Sequence, residues 1–122
     1  MKKLSEHDLQ ASIMAEVNLL ANQDPRWLYL FAVPNGGHRD IRTAARLKDE
    51  GVRPGVPDLL WPLKAYGYVG LALELKVGNN DTSAHQDDWL AWLSAQGWYA
   101  RVVRDDAAKI MGLLEWYLRG AR

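Results

Sequence analysis

Apolar positions along the 122-residue chain alternate between two periods, and the changes of period mark its elements. Between Ser5 and Ala21, Leu9, Ile13, Val17 and Leu20 recur at helical spacing, with Ser5 placed as an N-cap. Asp24-Pro25 breaks this helix, and Trp27 to Val33 predicts a strand running into the turn Pro34-Asn35-Gly36-Gly37. Residues 39–50 predict a polar helix stopped by Gly51. Asp58 to Leu63 predicts a short strand, and Ala65 to Gly67 its turn. Tyr68 to Val77 is an almost unbroken apolar run interrupted by Glu74 and Lys76, the pattern of a strand covered on both faces. A helix follows from Thr82 or Ser83 to Gly97, then a strand from Trp98 to Val103. Asp105 or Asp106 caps a last helix through Leu118, with Ile110, Leu113, Leu114 and Tyr117 facing inward. There is no repeat or linker, so residues 1–122 read as one domain. The order predicts an α/β fold, a small mixed central sheet flanked by helices.

The most apolar strand carries a pair of charges. Glu74 and Lys76 are two residues apart, which puts both on one strand face and Leu73 and Leu75 on the other. A buried ion is costly unless it is paired or bound to a metal, and a Glu74–Lys76 salt bridge is the plainest reading. Asp58 weakens it. If the strands at 58–63 and 68–77 form a hairpin, Asp58 lies beside Glu74 and Lys76. Two converging carboxylates repel unless a cation sits between them. The chain has no cysteine and no histidine pair at helical spacing, so oxygen ligands remain; these suit Mg²⁺ or Mn²⁺.

These residues resemble a known family. Pro57-Asp58 followed by Glu74-Leu75-Lys76 is similar to the signature of the PD-(D/E)xK nucleases. Its context narrows the likeness: Pro34 to Arg39, Gly51 to Asp58, and Ser83-Ala84-His85-Gln86 with Trp89, Leu90 and Leu93 resemble the virus-type replication-repair nuclease (VRR-NUC) domain, in the stand-alone form carried by phages. The resemblance spans about Glu6 to Tyr99. It implies a restriction-endonuclease-like core and a Mg²⁺- or Mn²⁺-dependent deoxyribonuclease. It also implies metal ligation by Asp58, Glu74 and the Leu75 main-chain carbonyl. Such an ion neutralises charge at the scissile phosphate and activates water. Lys76 would orient or deprotonate that water, or steady the phosphate; the sequence leaves these roles open.

Gln86 is similar to the family's helix glutamine and falls on the stripe of Trp89, Leu90 and Leu93. Ser83-x-x-Gln86 is equally a capping box. Glu6 is similar to the acidic residue the superfamily carries on its first helix, although a first-turn glutamate is also favoured by the helix dipole. Glu16 is the weaker alternative to it, and Gln10 lies beside it. Asn35 and Gly36 could offer donors to a phosphate, or form a plain turn. Arg39, Arg42, Lys48 and Arg53 could hold the DNA backbone, although each singly is an ordinary surface charge. His38 and His85 are lone, and Trp89, Trp92, Trp98 and Trp116 suit a core or subunit contact.

Composition removes other classes. Net charge is zero, which argues against holding nucleic acid by bulk charge alone. The start lacks the apolar run of a signal peptide and no stretch is long enough to span a bilayer. The expectation is therefore a protein of the bacterial or phage-infected cytoplasm, with no membrane partner. Six Trp residues exceed what so small a core readily buries, so a homodimer through the 83–96 helix or the last helix is expected. Two dyad-related sites would suit a four-way DNA junction, an analogy with the resolvases of the same superfamily. The alternatives are a non-catalytic nucleic-acid-binding module with a decayed site, and a structural domain whose Glu74–Lys76 is only an ion pair.

Overall fold

The structure, a computed structural model, describes residues 4–34 and 40–121. Helix α1 (Glu6–Leu20) starts where the Ser5 side chain accepts the Asp8 N–H and the Asp8 side chain accepts the Ser5 N–H, a reciprocal cap. A 3₁₀ helix (Pro25–Tyr29) and strand β1 (Phe31–Ala32) follow. Then come α2 (Ile41–Asp49), β2 (Leu59–Trp61), β3 (Leu71–Lys76), α3 (Ala84–Ala95), β4 (Tyr99–Arg104) and α4 (Ala107–Arg119).

The element order is the expected one, with one correction. Trp27 to Val33 is not a strand throughout. The Asp24 side chain accepts the Arg26 N–H and Pro25 pre-sets φ for a helical turn, so residues 25–29 coil before the chain straightens. Asp106, rather than Asp105, caps α4, accepting from the N–H groups of Ala108 and Lys109.

The four strands form one mixed sheet in the order β1-β2-β3-β4, with β1-β2 and β2-β3 antiparallel and β3-β4 parallel. The core lies on one side of it. Leu71, Leu73 and Leu75 of β3 cluster with Leu9, Ile13 and Val17 of α1 and Ile110, Met111, Leu114 and Tyr117 of α4. Trp27 stacks on Trp61 at 4.8 Å, and the Trp61 indole donates to the Arg26 carbonyl, so the 3₁₀ helix closes the core's end. Alternation along β3 sends Ala72, Glu74 and Lys76 to the opposite face, where α3 packs on β3 and β4. All six residues of β3 are buried. This explains the run of apolar residues and makes its two charges exceptional. No helix among the described residues is long and apolar enough to cross a membrane.

Candidate active site

Asp58, Glu74 and Lys76 meet at one end of the sheet. β2 begins at Leu59, paired with Leu73, so one further step of the register sets Asp58 opposite Glu74. Beyond the end of β2 the Asp58 side chain takes over from the ladder: its Oδ2 accepts the Leu75 N–H at 2.7 Å. The Asp58 main-chain carbonyl accepts the Val33 N–H at 2.8 Å. Both ends of the residue are thereby held, which fixes the direction of its carboxylate.

Glu74 is 2% exposed. Its Oε2 accepts Nε2 of Gln86 at 3.1 Å and lies 3.7 Å from Nζ of Lys76. Its Oε1 is buried with no hydrogen-bond partner. Desolvation pushes the Glu74 carboxyl up to about 8. The neighbouring Asp58 carboxylate pushes the same way; Lys76 opposes it, and the Glu6 charge adds to the rise. The Glu74–Lys76 pair therefore exists, but it does not satisfy the glutamate. Its 3.7 Å separation exceeds the 2.7–2.9 Å of a strong charge-assisted bond, and it leaves a buried oxygen unmet.

An orphaned carboxylate oxygen beside a second carboxylate is the arrangement a divalent cation relieves. Among the described residues no group of three or more His, Asp or Glu side chains is placed to hold a metal ion, so side chains alone would supply at most two ligands. Two carboxylates and the Leu75 carbonyl would leave several positions to water, as suits Mg²⁺. The residues present fit such an ion.

No family model matches the chain, and no curated protein compared with it matches. A solved structure described as a "VRR_NUC domain protein" does. It has a TM-score of 0.78 and 25% identity, with 99% of this chain and 93% of that one covered. The chain is thus similar to a VRR-NUC domain over almost all of both lengths. That places it among nuclease-family domains, and the mixed sheet with its flanking helices agrees with that fold.

Gln86 makes the capping contact and also reaches Glu74. Its Oε1 accepts the Ser83 N–H at 2.9 Å while the Ser83 hydroxyl accepts the Gln86 N–H, which completes the α3 cap. With Oε1 committed to the cap, Nε2 is aimed at Glu74. Glu6 sits in the first turn of α1, half-buried, and its Oε2 accepts Nδ2 of Asn80 at 3.1 Å. Glu16 is exposed and lies about 15 Å further along α1 at 1.5 Å per residue, so it does not join the cluster. Gln10 is half-buried.

The basic residues are less gathered. Arg42 and Lys48 are exposed on α2, and Arg53 is exposed in the loop before Asp58. Lys48 and Arg53 share a cleft with Pro34, Leu47 and Pro54; Arg42 does not line it. Asn35, Gly36, His38 and Arg39 lie outside the described residues. His85 is exposed. Trp89 is half-buried and its indole donates to the Pro54 carbonyl at 3.1 Å, while Trp116 stacks on Tyr66 at 4.5 Å.

Two features escaped the sequence reading. Gly55 has φ of +86°, and a Cβ there would fall 2.6 Å from the His85 backbone carbon. The loop carrying Asp58 is thus pressed onto the start of α3, and the glycine within Arg53-Pro54-Gly55-Val56-Pro57 was the available signal. The other is Asn80, which carried no signal because the turn after β3 reads as any polar loop.

Proposed function

We propose that the chain is a Mg²⁺- or Mn²⁺-dependent deoxyribonuclease that hydrolyses phosphodiester bonds at the Asp58–Glu74–Lys76 cluster. The unpartnered, buried Oε1 of Glu74 beside Asp58 is the observation that carries this reading. Asp58 and Glu74, with the Leu75 carbonyl, would hold the cation. Such an ion would supply charge neutralisation at the scissile phosphate and a more acidic water. The chain's own groups supply the geometry. The Leu75 N–H orients Asp58 and Gln86 orients Glu74. Lys76, 7% exposed, brings a positive charge to the same face, where it steadies the phosphate or the attacking water. Exposed Arg42, Lys48 and Arg53, with Asn35, Gly36 and Arg39, contact the DNA backbone.

The chain acts as a homodimer through α3 on branched DNA, with the four-way junction as the favoured substrate. Trp92, 61% exposed on α3, supports that contact surface, whereas α4 turns Ile110, Leu114 and Tyr117 into its own core. The test is incubation with linear, flapped and four-way DNA in Mg²⁺ or Mn²⁺. Cleavage is expected, fastest on the junction, and Asp58→Asn, Glu74→Gln and Lys76→Met should be inactive while folded. Near wild-type cleavage by any of the three overturns the site, and equal rates on linear duplex and junction overturn the junction preference.

A further inference from the structure

The residue that follows β4 is held in a strained conformation. Asp105 has φ of +61°, in the left-handed region that glycine enters freely and other residues enter at a cost. It does not cap α4, since Asp106 takes that place. Glycine would make a plain turn here with less strain, so the reason for an aspartate lies in what its side chain does. Its N–H donates to the Lys76 carbonyl at 3.0 Å, and its Oδ1 accepts the Gly78 N–H at 2.7 Å. These bonds close on either side of Val77 and tie down the C-terminal end of β3. The Arg104 guanidinium adds bonds from Nη1 to the carbonyls of Gly78 and Asn80.

That end of β3 is open on its other side. β2 begins at Leu59, opposite Leu73, and beyond it the Asp58 carboxylate takes the Leu75 N–H. Lys76 therefore has β4 alone as a strand neighbour, in register with Arg104, and the Asp105 N–H is the bond on its carbonyl. Strand ends with few such bonds open locally. The Lys76 side chain is buried and its Nζ lies 3.7 Å from Oε2 of Glu74, so a shift of its backbone carries the ammonium away from the cluster. We infer that Asp105 is a positioning residue: by clasping the chain on both sides of Val77 it fixes where the Lys76 ammonium stands beside Glu74. This rests on the reading of Lys76 as part of a nuclease site. A misplacement of about 1 Å can cost on the order of a hundredfold in rate. Loss of the carboxylate alone leaves the N–H bond to Lys76 in place, so the effect belongs lower, at about tenfold.

The experiment compares wild type, Asp105→Gly and Asp105→Asn. Glycine keeps the N–H and accepts the positive φ but has no oxygen for Gly78; asparagine tolerates the same φ and keeps an acceptor oxygen. The measurements are kcat and KM for DNA cleavage in Mn²⁺, the rate of Lys76 acylation by sulfosuccinimidyl acetate in EDTA followed by mass spectrometry, and melting in EDTA. Asp105→Gly should lower kcat about tenfold with KM unchanged and speed Lys76 acylation several-fold. Its melting temperature should move little, because relief of strain offsets the lost bond. Asp105→Asn should restore both kcat and the acylation rate. If the wild type cuts DNA and Asp105→Gly matches it in kcat and in acylation, the inference is overturned while the nuclease reading stands. A lowered melting temperature with both rates unchanged also overturns it, since Asp105 would then only staple the turn. So does a fall in kcat without faster acylation, because the loss would not act through Lys76, and so does a failure of asparagine to rescue. Wild type that cuts no DNA overturns the nuclease reading and this inference with it.

Discussion

Glu74→Gln isolates the electrostatic cost of the candidate site. The substitution keeps the shape of the side chain and removes its ionisation. A carboxyl raised from 4.5 to about 8 by burial and by Asp58 is held neutral in the folded chain at mildly acid pH. The unfolded chain releases that proton near the ordinary glutamate value. The folded state thus binds more protons between these two values, and its stability falls as pH rises through them. The contribution is fully present below about pH 4.5 and gone above about pH 8. At 1.36 kcal/mol per pKa unit the ceiling is nearly 5 kcal/mol, and sharing of the proton with Asp58 reduces it to about 2–4 kcal/mol. The assay is urea unfolding in EDTA at pH 5 and pH 8.5. The wild type should lose about 2–4 kcal/mol more than Glu74→Gln across this interval. The two should be close at pH 5, and the variant more stable at pH 8.5. Mn²⁺ at pH 8.5 should restore the wild type and leave the variant unchanged. Parallel pH profiles for the two proteins would refute the assignment of a strained, buried carboxyl to Glu74.

Gln86→Glu retains a capping residue for α3 but sets a second carboxylate against Glu74; cleavage should fall by at least tenfold, and stability in EDTA should drop at pH 8.5 more than at pH 5. Unaltered kinetics would remove Gln86 from the site. Gly55→Ala forces a Cβ into the His85 backbone at positive φ, so it should cost about 2–4 kcal/mol in chemical unfolding; a loss under 1 kcal/mol would show that this loop is not pressed onto α3. Light scattering at micromolar concentration should give twice the 13.8 kDa chain mass, reduced to one chain by Trp92→Glu; a wild-type mass near 13.8 kDa would contradict the dimer.

Much of the fold was legible because its signals were local. The reciprocal Ser5–Asp8 and Ser83–Gln86 caps sit at the starts of α1 and α3. The buried run of β3 announced the central strand. The stretch at 27–33 misled because Trp27, Leu28, Tyr29 and Leu30 suit a strand by side chain, while the Asp24-Pro25 start decides for a turn of helix. The pairing of Asp58 with Glu74 was also legible, since a hairpin over 58–77 leaves few registers. That Glu74 leaves one oxygen unmet was not, because it depends on where Gln86 and Lys76 direct their ends. Nor was the Asn80–Glu6 contact, which joins the first helix to a turn remote in sequence. Periodicity carries no information about such contacts.

Cleavage of a labelled four-way junction by the purified chain, in Mn²⁺ and in excess EDTA, with Glu74→Gln alongside, tests the central claim most directly. The account predicts cleavage by the wild type in Mn²⁺, none in EDTA, and none by the variant in either. Undiminished cleavage in EDTA, or cleavage by Glu74→Gln at the wild-type rate, would contradict it.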